Sequence, residues 1–173
     1  ELDGAYKQEV ISNRELFETD SPGSIAGEGA AVFLVNNQPA NAIACVQAIH
    51  ILHSENEQEV AIAFQQFLEK NQLDKGEINL FLSGESGDNR TLPFYTACEK
   101  LLPQTTPIAR FKHLSGEYCT ASSFGVWLSC QLMQGVTVPA HALKFPASVS
   151  TPKTIVLYNN YKGVQHSFML ISS

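Results

Sequence analysis

Apolar and polar positions follow two rhythms along this chain. From Ile25 to Val35, and again from about Ala42 to Leu52, the residues are mostly small, β-branched or aromatic, with Asn36-Asn37-Gln38-Pro39 between them. That pair predicts an antiparallel hairpin. Val60, Phe64, Phe67 and Leu68 fall three and four apart, which predicts one face of a helix. A Ser54-x-x-Glu57 capping box opens it, and Gly76 stands where it ends. Ile78 to Leu82 is a short continuous apolar run, as in a strand covered on both faces. Leu92 to Leu101 predicts a second helix, stopped by Pro103, and Ile108 to Lys112 a further strand. Thr154–Tyr158 and His166–Ile171 predict a closing hairpin around Asn159 to Gly163. Ala121 to Met133 contains no charged residue and predicts a helix buried on all sides, with Thr120 as its N-cap and Gly116 as a flexible corner before it. Residues 1–24 have no clear period, and Asp20–Ser24 is turn chemistry; this region is expected to be a lead-in packing on the domain edge.

The resulting order, ββ-αβ-αβ-α-ββ, predicts a layered α/β domain: a mixed sheet covered by helices, with parallel neighbours where helices intervene. Sites in such sheets gather at the carboxyl ends of strands. Three loops qualify, after Leu82, after Phe111 and after Tyr158.

Composition narrows the field. The 173 residues are 44% hydrophobic and 16% charged, as expected of one ordinary domain with a sizeable core. The net charge of −6 argues against a nucleic-acid surface. No apolar run is long enough to span a bilayer and no signal-peptide pattern opens the chain, so a cytoplasmic location is expected. The chain opens on Glu1 rather than Met, as a processed or excised piece does. Cys45, Cys98, Cys119 and Cys130 are widely spaced and suggest neither zinc nor a disulfide frame. Cys45, Cys98 and Cys130 sit in apolar contexts and are expected to be reduced core thiols. His50 and His53, three apart on a strand, point to opposite faces and do not suggest a metal pair. The loop Ser83-Gly84-Glu85-Ser86-Gly87-Asp88 lacks the Gly-x-Ser-x-Gly nucleophile elbow and reads as a turn.

A family resemblance emerges at Lys112 to Leu128. Lys112, Gly116, the small residues Ala121 to Ser123, the apolar helix, Gly135 and Val138-Pro139 resemble the second-histidine motif of β-ketoacyl synthases, condensing enzymes of the thiolase fold. Gly27-Glu28-Gly29-Ala30-Ala31 resembles the segment with which those enzymes enter their C-terminal half. The resemblance implies residues 1–24 as the end of an N-terminal half and 25–173 as a C-terminal thiolase-like domain. It puts the family's first histidine position at Ser83, beside a retained Gly84, and the second at Glu117. In the last loop Gly163 is kept, Gln165 replaces an Asn, and Asn159 stands where a gating Phe would be. The implied site is therefore Lys112, Glu117 and Ser83, with Asn159, Gly163 and Phe124 as tunnel candidates and no cofactor or metal. No stretch resembles the family's cysteine motif.

Condensation develops negative charge on an oxygen, which donors stabilise. A Glu117 carboxylate at about 4 Å repels that charge by roughly 4 kcal/mol at an effective dielectric near 20, about a thousandfold in rate. Lys112 can neutralise Glu117 in a partly buried ion pair without restoring the donors, and Ser83 cannot shuttle protons near neutral pH. The resemblance thus implies a non-condensing, chain-length-factor-type subunit, of aryl-polyene or flexirubin kind, supporting fatty acid, polyketide or aryl-polyene elongation. Its partners are an active ketoacyl synthase subunit or its own N-terminal half, and an acyl carrier protein, in a homo- or heterodimer. Two alternatives stand beside it: an active acyltransferase whose cysteine lies on a missing N-terminal half, and a self-contained α/β binding module. The first two predict uncovered apolar surface on this chain, the third a stable monomer.

Overall fold

A computed structural model describes residues 6–7, 12–145 and 147–173. The first part of the lead-in lies largely outside the described residues. The elements are β1 (Cys45–His53), α1 (Glu57–Lys70), β2 (Leu80–Ser83), α2 (Leu92–Glu99), β3 (Ile108–Arg110), α3 (Lys112–Ser115), α4 (Ala121–Met133), β4 (Thr154–Tyr161) and β5 (Gln165–Ser172), with short 3-10 turns between them. They form a mixed α/β domain around one five-stranded sheet in the order β1-β5-β4-β2-β3. β2 runs parallel to β3 and β4, while β5 is antiparallel to both β4 and β1.

Strand periodicity divides the core into two layers. Phe81, Val156, Tyr158, Phe168 and Leu170 face Val60, Phe64, Phe67 and Leu68 of α1 and Phe94, Tyr95 and Cys98 of α2. Leu80, Leu82, Ile155, Leu157 and Ile171 face the other way, toward Phe111 and Leu132. The α4 helix approaches this second face through the stripe Ala121, Gly125, Ser129 and Leu132. At Gly125 a Cβ would lie 2.9 Å from Leu157 Cδ1, so glycine sets the spacing.

Several expectations need correction. The hairpin of Ile25–Val35 with Ala42–Leu52 does not form. Residues 27–36 belong to no strand, and β1 pairs with β5 instead, from Cys45 opposite Ser172 to His53 opposite Gln165. Local alternation marks a segment as strand-forming without naming its partner. Val32, Leu34 and Val35 are consequently 96%, 97% and 83% exposed. Nor is α4 buried on all sides: its outer face is half-covered and Trp127 is 43% exposed. A charge-free helix needs a cover, and among the described residues this chain supplies one for a single stripe.

Smaller differences concern caps and ends. Asn56, not Ser54, caps α1, accepting from the Gln58 and Glu59 N–H groups at 2.8 and 3.4 Å. The Ser54 hydroxyl donates to Glu59 Oε2 at 2.6 Å. The helix ends at Lys70, ahead of Gly76, which lies in a 3-10 turn. Thr120 occupies the N-cap of α4 but makes no side-chain cap bond. Cys45 is exposed and Cys130 half-buried; of the expected core thiols only Cys98 is buried. The described lead-in is more than an edge: Leu16 is fully buried, and Arg110 stacks over the Phe17 ring at 3.7 Å.

Candidate functional site

The loops after β2, after β3 and at the end of β4 meet at the carboxyl edge of the parallel strands, where a site was expected. Lys112 begins the single turn of α3, whose end is set by Gly116 at a φ of 71°. Its side chain is fully buried, and Nζ donates to Glu117 Oε2 and, at 3.3 Å, to the Asn160 carbonyl. The ion pair anticipated from sequence is therefore present. Glu117 is fixed from behind as well: its N–H donates to the Ile25 carbonyl at 2.9 Å, and its carbonyl accepts from the Gly27 N–H at 3.2 Å.

Burial dominates the electrostatics of this pair. It pushes the Lys112 ammonium down and the Glu117 carboxyl up, while each partner opposes the shift of the other. Both shifts bring the charged and neutral forms of the pair closer together. Glu117 Oε1 is buried and has no hydrogen-bond partner among the described residues.

Ser83 is fully buried, and its hydroxyl accepts from the Glu85 N–H at 3.3 Å. A Cβ on Gly84 would meet Asn159 Oδ1 at 2.5 Å, so that glycine lets the β2 and β4 loops touch. Tyr95 ties them further, donating to the Gly84 carbonyl at 2.7 Å and accepting from the Asn160 N–H at 3.0 Å. A hydrogen-bonded path thus runs Gly84–Tyr95–Asn160–Lys112–Glu117. Glu85 is clamped by Arg110 at 3.3 Å and Lys144 at 2.7 Å, and Lys144 also holds Glu99 at 2.9 Å.

Asn160 also joins a buried histidine. His166 Nε2 donates to the Ser54 carbonyl at 2.9 Å, which leaves Nδ1 to accept from the Tyr158 hydroxyl at 2.9 Å and from Asn160 Nδ2 at 3.1 Å. The carbonyl can only accept, so the network assigns the neutral tautomer. Burial pulls the His166 pKa down in the same sense.

A cavity of about 290 Å³ opens on this edge. Glu117 lines it, but Ser83, Lys112, Asn159, Gly163 and Phe124 do not. Gly163 lies in the β4–β5 turn, where Lys162 and Gly163 both have positive φ, at 54° and 72°. Phe124 packs on Phe111 and Trp127 on the α4 side, with ring centroids 6.2 and 5.3 Å away. The tunnel candidates therefore do not converge on one space. Tyr95, Asn160 and Tyr161 were not singled out from sequence, because their positions read as helix or turn with no chemical motif.

No protein-family profile matches the sequence, and no curated protein matches it. Solved structures do. The ishigamide ketosynthase/chain length factor superposes with a TM-score of 0.69 at 13% identity, over 98% of this chain and 48% of that one. The fold is that of ketosynthases. An oxazolomycin ketosynthase domain from Streptomyces albus matches at a TM-score of 0.60 and 12% identity over 76% of this chain and 45% of its own. A β-ketoacyl synthase from Burkholderia phymatum does so at 0.56 and 17%, over 76% and 38%. The chain spans less than half the length of each of these ketosynthase-fold relatives. Among the described residues no helix is long and apolar enough to cross a membrane, and no group of three or more metal-ligating side chains assembles.

Proposed function

We propose that this chain is the C-terminal half of a non-condensing, chain-length-factor-type ketosynthase homologue. It pairs with an active ketosynthase, or with an N-terminal half, and supports elongation of an acyl chain carried on an acyl carrier protein. The observation that carries the reading is the buried Lys112–Glu117 pair with Ser83 fully buried on the neighbouring loop. Those two positions correspond to the histidines of a condensing enzyme. An anionic, lysine-bound carboxylate and a serine offer a developing oxyanion no proton-shuttling donor. The lysine is spent on holding the carboxylate. In this role α4 and the exposed apolar segment around Val32 and Leu34 are scaffold and interface.

The test is a reconstituted elongation assay. The protein is offered acyl- and malonyl-loaded carrier protein alone and then together with a condensing ketosynthase. No ketoacyl product alone, and an altered product length with the synthase, are expected. Condensation by the protein alone, lost in Glu117→Gln, would overturn the reading.

A further inference from the structure

Asn160 carries more of the candidate site than its place in a hairpin requires. Its N–H donates to the Tyr95 hydroxyl at 3.0 Å, and its carbonyl accepts from Lys112 Nζ at 3.3 Å. The side-chain amide is committed as well. Oδ1 accepts from the Gly163 N–H at 2.9 Å, and Nδ2 donates to His166 Nδ1 at 3.1 Å. A backbone N–H can only donate, so the Gly163 contact fixes which end of the amide carries the oxygen. Asn160 and His166 are 3% and 1% exposed, so bulk water does not replace a lost partner.

The turn that Asn160 holds is one the backbone resists. Lys162 and Gly163 take φ of 54° and 72° in succession. That is hairpin geometry, yet a lysine in the left-handed region is costly. The same turn supplies Tyr161 and Lys162 to the wall of the cavity that Glu117 lines.

The groups around His166 suit a neutral ring. Across the hairpin it faces Asn160 and the Tyr158 hydroxyl, and α2 lays the Phe94 ring at 4.9 Å. Ahead of α1 the Ser54 carbonyl takes the Nε2 proton. Glu59 bonds the Ser54 hydroxyl and Lys112 the Asn160 carbonyl, so neither touches the imidazole. His53, at the end of β1, disfavours charge on the ring. A proton on Nδ1 would stand against Nδ2, which can only donate. The Tyr158 hydroxyl can turn to accept; the amide cannot without presenting Nδ2 to the Gly163 N–H. Either way Asn160 loses one of its two side-chain bonds.

We propose that His166 is a proton-operated latch on the cavity wall. Neutral, it holds Asn160 on the β4–β5 turn; protonated, it breaks the Asn160–Gly163 bond and frees the turn bearing Tyr161 and Lys162. His166 acts through Asn160 and is a positioning residue. The latch rests on hydrogen-bond geometry and is independent of the proposed subunit role. Burial pulls the His166 pKa below its ordinary 6.5, so the latch is closed near pH 7 and opens only below pH 6.5.

The experiment follows the full chain by NMR from about pH 7.5 to 4.5, the range that brackets histidine titration. It reads the His166 ring nitrogens and the Gly163 amide protection factor together. A neutral ring protonated on Nε2 is expected at the upper end. As His166 titrates, Gly163 protection is expected to fall roughly tenfold, the effect of one hydrogen bond, while the amides of β2 keep theirs. His166→Asn retains an acceptor near Nδ1 but does not titrate, and its Gly163 protection is expected to stay constant. In Asn160→Asp the carboxylate accepts from both the imidazolium and Gly163. There His166 is expected to titrate at higher pH than in the wild type, with the turn still protected. Different midpoints for His166 and Gly163 overturn the inference, as does the same fall in His166→Asn. If His166→Asn does not fold, an unraised His166 midpoint in Asn160→Asp overturns it. Simultaneous loss of protection in β2 marks global unfolding and overturns it too. A failed elongation assay with coincident midpoints overturns only the proposed subunit role.

Discussion

Gly27 and Gly116 cross backbone against backbone. A Cβ on Gly27 would stand 2.0 Å from the Ser115 carbonyl oxygen and 2.6 Å from Gly116 Cα. This crossing presses the lead-in against the loop that bears Glu117, and the bridge between Ala26 and Glu117 seals it. Gly27→Ala forces one backbone away, and overpacking of this kind is expected to destabilise by ~3 kcal/mol. The denaturation midpoint measures it. An unchanged midpoint would show that the two segments separate freely.

Lys112 and Glu117 depend on each other. Lys112→Met leaves a carboxylate and the Asn160 carbonyl without their donor, and removing one partner of a buried pair costs about 3–5 kcal/mol. Adding Glu117→Leu is expected to recover most of that loss. A double-mutant cycle from urea unfolding gives the coupling directly, and additive losses would argue against a coupled pair.

The sequence carried the central strands and the edge at which their loops meet. Ile78–Leu82 and the 154–171 hairpin were legible because continuous apolar runs and a turn of Asn, Lys and Gly admit few other structures. The ion pair was legible because Lys112 and Glu117 lie five apart across a glycine. What could not be read was partnership at a distance. The pattern in Ile25–Val35 says strand but not which edge receives it, and β1 found β5 instead. Tyr95 looked like one more aromatic on α2; its hydroxyl bridges two loops only once the fold brings them together.

His113 is 2% exposed, and among the described residues neither ring nitrogen has a hydrogen-bond partner. Its ring packs edge-on against Phe17 and His141, at 5.6 and 5.2 Å. Burial first, then the neighbouring His141, Arg110 and Arg14, lower its pKa from 6.5 to about 4. The unfolded chain therefore binds this proton more readily. The stability contribution is intact above pH 6.5 and is lost as pH falls toward 4, by up to about 3 kcal/mol. In His113→Phe the decline of unfolding free energy over that window is expected to flatten by this amount, leaving the share due to His166. Parallel curves for the two proteins would refute the assignment.

The segment holding Val32 and Leu34 is apolar and almost fully exposed, a combination that favours contact with other chains. Replacing both with Lys is expected to lower self-association in sedimentation velocity while leaving the melting temperature unchanged. A fall in melting temperature would mean the segment packs on its own domain.

The strand order has a consequence for how the chain reaches its structure. Of the described strands β1 comes earliest in the sequence, yet its neighbour in the sheet is β5, the latest. Cys45 cannot meet Ser172 until every residue between them has been made, so this edge of the sheet closes late, after the parallel strands. Until then β1, with Val46, Ile49 and Ile51, waits as an unpaired ribbon. Such late, long-range closure slows folding and exposes the nascent chain to misassociation. Loss of β5 would leave β1 without a partner, and the two strands are in this sense a single folding event.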